Sequence, residues 1–573
     1  MKVCAIVAAV GLLLPVGLSA ASPDHHEFEA TLDAPFRGAA DDSRAFTLQF
    51  SFPGEGVGVS SVWRLEVRDA SGRRIRQWSG ALRAGDTALR ISVAWDGRSE
   101  DGSALQAGLY EVTLLASPGT LADLDAALAS LEVNGGPARP TSPPVLQTWA
   151  IQVGDVARPA LLPFRPMATA SRSRVLGPSA AVAPDALPYT VYYANLHSQT
   201  NHSDGGGDLA TCTGAQNPQS APFGPADAYT YAYGRGLDVL MASEHNHMYD
   251  GSTGTKTTAD PLVAHNLYQS GLQAAADFTL GHPGFLAIYG MEWGVISNGG
   301  HLNIFGSSEL YEWEFNNANQ LIGDVYTPKS DYASLYATMR AKGLMGQFNH
   351  PDPTGQFIVN ATDLGYSADG DDVMVLSEVS NSSAFSVNTT ETETSRSSYE
   401  GAWKKMLERG FHVAPATNQD NHCANWGASY TNRTATLIPN GVALSMESFL
   451  EALRARRVFA THDKTAQLVL TAGDHLMGQR FDNDGPLSVN IFYASSSGHT
   501  AATVQLYEGV PGRNGTVTLA SSLASTTLTP TTGQHFYYAK VTQDDGKLLW
   551  SAPVWVNQLD VSDVIFRDGF GVR

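Results

Sequence analysis

Residues 192–208 read YYANLHSQTNHSDGGGD, and the rest of the chain is organised around this stretch. It begins as a run of strand-forming residues and then presents His197, Gln199, His202 and Asp204 where a strand would end and a glycine-rich loop begin. Alternate side chains of a strand point the same way, so His197 and Gln199 face one centre, and the turn that follows brings Asp204 back toward it. This pattern predicts the start of a metal site.

The chain has 573 residues, which is too long for a single hydrophobic core. Shifts in composition divide it into segments of different texture. We predict, in order, a signal peptide (1–21), an immunoglobulin-like β-sandwich (27–155), a proline-rich linker (156–188), an α/β barrel (189–463), a second β-sandwich (464–557) and a short tail (558–573).

The first residues have the features of a secretory signal: Lys2, an apolar run over 7–18, and small residues at Ser19, Ala20 and Ala21. We therefore expect a periplasmic or extracellular protein. No later segment is apolar for long enough to span a bilayer.

The formal net charge is −20 and the isoelectric point is near 5.1. Binding to nucleic acid or to an anionic membrane relies on clustered Lys and Arg, so both classes of partner are disfavoured. A small-molecule substrate is the expected partner. Cys212 and Cys423 remain after removal of the signal, and they form either a disulfide across the mouth of the site or two free buried thiols.

The segment VAWDGRSEDGSALQAGLYEVTLLA, residues 93–116, resembles the FlgD-like immunoglobulin domains in its WDG turn and its final AGxY strand. Turn signals at Gly72, Gly97 and Gly102 suit an antiparallel sandwich. A docking module and a structural spacer are both open readings. Residues 121–131 are predicted to form a short helix on a loop.

Strand-like and amphipathic runs alternate between residues 189 and 463, which favours a mostly parallel sheet closed into a barrel. Chemistry in such barrels gathers at the carboxyl ends of the strands. The predicted helices cover 225–235, 263–276, 331–342, 397–409 and 445–456. The predicted strands cover 189–196, 238–242, 285–289, 302–305, 345–349, 373–378 and 413–416.

Eleven of the sixteen histidines lie between residues 189 and 463, several of them directly beside predicted strands and in company with carboxylates. Imidazole nitrogens and carboxylate oxygens are the donors that divalent metals require, and a carboxylate such as Glu292 can bridge two ions. The cluster is too rich for one metal. Its members are His197, Asp204, Glu244, His245, Glu292, His301, His350, Asp420 and His422.

In their order along the chain these motifs resemble the PHP (polymerase and histidinol phosphatase) superfamily, and the run ALRARRVFATHD resembles the barrel end of its exported, carbaryl-hydrolase-like (CehA/McbA) branch. The resemblance covers about half of the chain. It implies an α/β fold with a distorted (β/α)7 barrel, two or three divalent ions of Zn, Mn or Fe, and hydrolysis of phosphate, carboxylic or carbamic esters.

The resemblance also implies a set of metal ligands in this chain. A first ion would be held by His197, Gln199, Glu292 and Asp420, a second by Glu292, His301 and His350, and a third by Asp204, His245 and His422. Asp420, His422 and Glu292 would serve catalysis, with Asp420 or His422 moving a proton to the leaving group.

Two positions depart from the family pattern. Gln199 stands where the family has His, and its neutral amide is a weaker ligand, so His202 is a possible substitute. Glu244 stands where the family has Asp, and we expect it to orient His245. His247 is a spare candidate ligand.

A metal-dependent hydrolase of ester or phosphoester bonds is therefore the leading prediction, since no GxSxG elbow or Ser-His-Asp order indicates a serine hydrolase. Tyr289, Trp293, Phe348 and Trp426 flank the motifs and are read either as barrel packing or as an apolar pocket for an uncharged ester. The alternative function is a non-catalytic binding protein on a PHP scaffold between two β-sandwiches, with Gln199 as the first sign of decay.

Overall fold

The computed structural model describes residues 29–51, 60–83, 89–122, 124–125, 145–170, 187–295 and 299–560. The predicted signal peptide, residues 126–131 of the predicted short helix, residues 171–186 of the predicted linker and residues 561–573 of the predicted tail lie outside them. Among the described residues, no helix is both long enough and apolar enough to cross a bilayer.

The N-terminal part forms two antiparallel sheets, in the strand orders β1-β2-β5 and β4-β3-β6-β7. Leu48 and Trp95 of the first sheet are buried in one core with Leu65, Leu114 and Ile151 of the second. The strands are β1 (Glu29–Asp33), β2 (Arg44–Ser51), β3 (Ser60–Arg68), β4 (Arg74–Arg83), β5 (Leu89–Trp95), β6 (Gly108–Pro118) and β7 (Val145–Val153).

The central part alternates strands with helices, as predicted. Its helices are α1 (Pro225–Gly234), α2 (Pro261–Gly281), α3 (Tyr332–Ala341), α4 (Ala368–Val373), α5 (Glu400–Arg409) and α6 (Met446–Arg454). Its strands are β8 (Ala168–Thr169), β9 (Tyr189–Asn195), β10 (Val239–His245), β11 (Leu286–Trp293), β12 (Leu302–Phe305), β13 (Tyr311–Glu312), β14 (Val325–Tyr326), β15 (Met345–Phe348), β16 (Met374–Ser382), β17 (Arg396–Ser398), β18 (Ala414–Asn418), β19 (Arg433–Pro439) and β20 (Val458–Thr461).

The five helices predicted between residues 225 and 456 are confirmed, with boundaries that shift by a few residues. Local signals explain where two of them begin. Asp260 precedes a proline, and its side chain accepts a hydrogen bond from the backbone N–H of Leu262. The Ser445 side chain caps α6 by accepting from the backbone N–H of Ser448. Helix α4 was not among the predicted helices.

Apart from β13 and β14, which pair only with each other, the central strands belong to one sheet that closes on itself, and the class is mixed α/β as predicted. The expectation of a mostly parallel sheet needs correction. Strands β9, β10 and β11 are parallel neighbours, as are β15, β16 and β18, but β12 runs antiparallel between β11 and β15, and β19 runs antiparallel to β9. Residues 294–301, which join β11 to β12, are too few for the crossover that a parallel strand needs.

The C-terminal strands form a four-stranded sheet, β22-β21-β24-β27, and a second set that joins the central sheet. The joint is the antiparallel pairing of β20 with β29, from Phe459 opposite Ser551 to Thr461 opposite Leu549. The strands are β21 (Ala466–Ala472), β22 (His475–Leu476), β23 (Arg480–Asn483), β24 (Leu487–Ser495), β25 (Ala501–Gly509), β26 (Thr518–Ser521), β27 (Ser525–Leu528), β28 (Gly533–Gln543), β29 (Leu548–Ser551) and β30 (Val554–Gln558).

Glu400, at the start of α5, ties this helix to the C-terminal strands. Its buried carboxylate lies 2.7 Å from Lys404 Nζ and 2.5 Å from Lys540 Nζ, and it accepts a hydrogen bond of 3.1 Å from Trp550 Nε1. Burial alone would raise the pKa of Glu400, but the two lysines outweigh it and the pKa lies below its usual value. The ion pairs therefore persist at neutral pH.

Replacing Glu400 by glutamine is expected to destabilise the protein by about 3 kcal/mol at pH 7, since it leaves two partly buried lysines without their carboxylate. Because the folded-state pKa is depressed, this contribution is present above the unfolded pKa of about 4.5 and is lost as the pH falls below it. Urea denaturation at pH 7 and pH 4 should show that the free energies of unfolding of Glu400→Gln and wild type differ less at pH 4 than at pH 7. Glu447→Gln, at an exposed glutamate of α6, serves as control, and equal midpoints for Glu400→Gln and wild type would refute the prediction.

Candidate metal centre

Polar side chains that are distant in the sequence meet at one edge of the central sheet. His197, His350 and Asp420 each follow a strand by two residues, after β9, β15 and β18. His245 is the last residue of β10, and Glu292 is the last but one of β11. The parallel register sets His245 directly beside Glu292. His301 immediately precedes β12, whose antiparallel direction brings this end to the same edge.

Glu292 is the centre of this cluster. Its carboxylate lies 2.9 Å from His197 Nε2, 3.5 Å from His245 Nδ1, 3.2 Å from His301 Nδ1 and 3.2 Å from His350 Nε2. Asp420 Oδ1 adds a second carboxylate 3.1 Å from His197 Nε2. One buried carboxylate therefore contacts four imidazoles.

Asp204 forms the other side of the cluster with His245 and His422. Its Oδ1 lies 3.7 Å from His245 Nε2 and 3.5 Å from His422 Nε2. Potential ligand atoms lie within 4.8 Å of one another in three groups: His197, His350 and Asp420; Asp204, His245 and His422; and His245, Glu292 and His301. The predicted third set, Asp204, His245 and His422, is one of these groups. The other two groups differ from the predicted sets, because His350 lies with His197 and Asp420, and His245 lies with Glu292 and His301.

Backbone geometry holds the ligand loops together. The N–H of Asp420 donates to the carbonyl of His197, and the N–H of Gly207 donates to that of His422. A Cβ at Gly205 would lie 2.4 Å from the backbone of Gln199, which explains the glycine there. His350 and Asp420 adopt left-handed conformations, with φ of 28° and 48°. Such strain in residues other than glycine persists where surrounding contacts enforce it, and it clusters at functional sites.

Gln199 lies in the cluster, but its amide is turned. Its Nε2 donates to Glu292 at 2.6 Å, and its Oε1 accepts a hydrogen bond from Ser203 Oγ at 3.1 Å. An amide nitrogen offers no lone pair to a metal. In this orientation Gln199 supports the Glu292 carboxylate, and its role as a ligand stays a prediction.

The contacts of three further candidates, His202, Glu244 and His247, are as follows. His202 Nδ1 lies 2.6 Å from the Tyr289 hydroxyl, so it does not replace Gln199. Glu244 accepts hydrogen bonds from Thr200 and Ser203, so it anchors the loop of residues 199–204, and its orienting of His245 stays a prediction. His247 stacks on Trp313 beside the cluster, and burial lowers its pKa to about 3.

Two groups at the site were missed by the sequence analysis. Glu378 accepts from His197 Nδ1 at 3.0 Å, and Asn349 Nδ2 donates to Glu292 Oε1 at 2.8 Å. A signal was present for both residues. Glu378 ends the predicted strand 373–378, and Asn349 ends the predicted strand 345–349. Several of the other candidate site residues also stand at or near the ends of predicted strands.

The aromatic residues beside the motifs are core residues. Tyr289, Trp293, Phe348 and Trp426 are all buried in the same hydrophobic cluster, and Trp426 Nε1 also donates to the Gln199 carbonyl at 2.9 Å. The packing reading is therefore the correct one. These residues do not support an apolar substrate pocket.

Cys212 and Cys423 form a disulfide, with their Cα atoms 5.8 Å apart. Cys423 directly follows His422, and Cys212 lies in the loop that follows Asp204. The bridge therefore joins the two chain segments that carry the Asp204 and His422 side chains.

The charges in the cluster suit a cation. Burial alone would lower the pKa of His197, but Asp420, Glu292 and Glu378 raise it well above its usual value. Burial alone would raise the pKa of Glu292, but His197, His301 and His245 hold it well below its usual value. Burial raises the pKa of Asp204 to about 6. A proton on His197 thus balances buried carboxylates where a divalent ion would balance them equally well, and the donor set fits such ions.

Comparisons with known proteins add little. No family model matches the chain, and no curated protein matches it. Among solved structures the chain is similar to the lesion-specific endonuclease PfuEndoQ of Pyrococcus furiosus, with 12% identity and a TM-score of 0.25 over 47% of this chain and 56% of that one. It is also similar to a CARDB domain from P. furiosus in complex with di-metal ions (10% identity, TM-score 0.14, 22% of this chain and 94% of that one) and to fibronectin(III)-like modules of Clostridium thermocellum CbhA (18%, 0.13, 16% and 96%). These TM-scores are too low to carry an argument.

Proposed function

We propose that this protein is an exported hydrolase of ester or phosphoester bonds with a multinuclear metal site of the PHP type. The observation that carries the proposal is the convergence of four imidazoles from four other strands on the Glu292 carboxylate, with Asp420 and the pair Asp204 and His422 beside them. A structural core has no use for this number of buried ionisable groups, because each one costs free energy unless it is paired.

In this proposal two or three divalent ions of Zn, Mn or Fe are held by His197, Asp204, His245, Glu292, His301, His350, Asp420 and His422, with Gln199 at the edge of the set. When bound, such ions polarise the scissile phosphoryl or carbonyl oxygen and lower the pKa of water to about 7.

The side chains themselves divide into holding and reacting groups. His422 Nδ1 faces the carbonyl of Asp420 at 3.0 Å; a carbonyl only accepts, so Nδ1 carries the proton and the lone pair of Nε2 is directed toward Asp204. That tautomer suits a ligand rather than a proton carrier. Asp420 and His350 are the more exposed members of the cluster, with side chains 7% and 10% exposed. We therefore assign the transfer of a proton to the leaving group to the Asp420 carboxylate, with His350 beside the entering substrate.

The disulfide agrees with an oxidising compartment, periplasmic or extracellular, and a small-molecule ester or phosphoester is the proposed partner. The substrate class stays this broad because the aromatic residues that could have favoured an uncharged ester are packing residues.

The experiment that tests the function is an activity screen of the metal-reconstituted protein. Aryl phosphomonoesters, phosphodiesters and carboxyl esters would be assayed with Zn, Mn or Fe, and His350→Ala and Asp420→Asn would serve as matched inactive variants. We expect turnover of at least one class and its loss in both variants. Fewer than one bound ion per chain, together with no turnover of any class, would favour the non-catalytic binding protein instead. The observation that favours this alternative is the orientation of Gln199, which directs its amide nitrogen toward Glu292.

A further inference from the structure

Glu378 lies behind the cluster and contacts two of its members at once. It is fully buried on β16, at a point where the pairing register of β16 with β18 shifts between Glu378 and Ser380. Irregularities of this kind are common beside active sites. The Glu378 side chain lies against His197 and His350.

The two carboxylate oxygens of Glu378 accept hydrogen bonds from different residues of the cluster. Oε1 accepts from His197 Nδ1 at 3.0 Å, and Oε2 accepts from the backbone N–H of His350 at 2.6 Å. Asn381 Nδ2 and Asn418 Nδ2 donate to the same carboxylate at 2.7 Å and 2.8 Å and hold it in place. The carboxylate is therefore saturated by donors and fixed in orientation.

The first contact sets the tautomer of His197. A carboxylate only accepts, so the proton on Nδ1 is directed to Glu378, and Nε2 is the nitrogen that faces Glu292 and Asp420 at 2.9 Å and 3.1 Å. The second contact holds the backbone of His350 in its left-handed conformation, with φ of 28°. Together they orient two of the three members of the group formed by His197, His350 and Asp420.

We propose that Glu378 is the positioning residue of this group: it does not hold an ion itself but presents His197 Nε2 and the His350 ring to one. The inference rests on the proposed function, since it assumes that the cluster holds metal. Partners of this kind, which hydrogen-bond a ligand from behind, typically change metal affinity or activity by 10- to 100-fold when they are altered.

The test is zinc binding by the apoprotein of Glu378→Gln, measured by competition with a chromogenic chelator. Glutamine has the same shape but only one accepting oxygen, so it cannot accept from His197 and from His350 together. We expect the affinity for one ion per chain to fall about 10- to 100-fold, while the ion of the group Asp204, His245 and His422 stays bound.

Glu400→Gln is the matched control: the same substitution at another buried glutamate, whose carboxylate contacts Lys404, Lys540 and Trp550, should lower stability and leave zinc affinity unchanged. If Glu378→Gln shows no cooperative melting, Glu378→Asp replaces it, and we expect at least a tenfold loss because the shorter side chain cannot reach both donors. Zinc affinity equal to wild type in the folded variant overturns the inference alone. Failure of the wild type to bind any of Zn, Mn or Fe overturns the proposed function as well, so the two failures are distinguishable.

Discussion

Replacing Glu292 by glutamine is expected to lower the hydrolysis rate by roughly 10²- to 10⁴-fold. Removing one partner from a buried ionic contact costs about 3–5 kcal/mol, and each 1.36 kcal/mol corresponds to a factor of ten in rate. Glu292 contacts four imidazoles, so neutralising it removes the negative charge that the ligand set shares. The measurement is kcat/KM on the best substrate of the screen, with metal content determined in parallel.

The same substitution at Glu400 is again the matched control, since it removes a buried carboxylate elsewhere and should leave kcat/KM unchanged. Circular dichroism would establish that Glu292→Gln is folded. A folded Glu292→Gln protein with unchanged kcat/KM would eliminate the proposed mechanism, because it would show that the centre of the cluster takes no part in the reaction.

Removal of metal is expected to abolish hydrolysis and to lower the melting temperature of the protein. An ion present at 1,000 times its dissociation constant stabilises the folded state by about 4.1 kcal/mol, and buried carboxylates such as Glu292 and Asp420 depend on positive charge around them. The measurement is thermal melting and turnover before chelation, after chelation, and after return of Zn or Mn.

The Glu292→Gln protein supplies the internal control for this experiment. With part of its ligand set disrupted, it should show a smaller fall in melting temperature on chelation than the wild type does. If the chelator changes neither the melting temperature nor the turnover of the wild type, then no metal is held in the cluster under these conditions. The hydrolase proposal would then fail.

Much of the central region could be predicted from local sequence. The predicted helices between residues 225 and 456 are present because their apolar periodicity and their starting signals, such as Asp260 before Pro261, act within one or two turns. The order of the main strands was predictable for the same reason, although β10, β11, β16 and β18 end two to four residues later than predicted. The antiparallel course of β12 was not inferred, although the short connection of residues 294–301 already excluded a crossover.

For the candidate metal centre too, one part could be predicted from the sequence and another part depends on the fold. Which residues are chemically able to bind metal was determined by the sequence, since His, Asp and Glu at strand ends are recognisable from type and position alone. What each one contacts was decided by tertiary structure. Gln199 turns its nitrogen toward Glu292, His202 bonds to Tyr289, and Glu244 anchors a loop, because a side chain's direction depends on neighbours that are distant in the sequence.

Glu378 marks the limit most clearly. In the sequence it is one more carboxylate at the end of a strand, and nothing local relates it to His197, which lies 181 residues away. Only the folded structure brings the Glu378 carboxylate to 3.0 Å from His197 Nδ1 and 2.6 Å from the backbone nitrogen of His350. The sequence determined which donors exist and at which strand ends they stand; the closing of the sheet decided which of them meet, because hydrogen bonds act over about 3 Å in space regardless of distance along the chain.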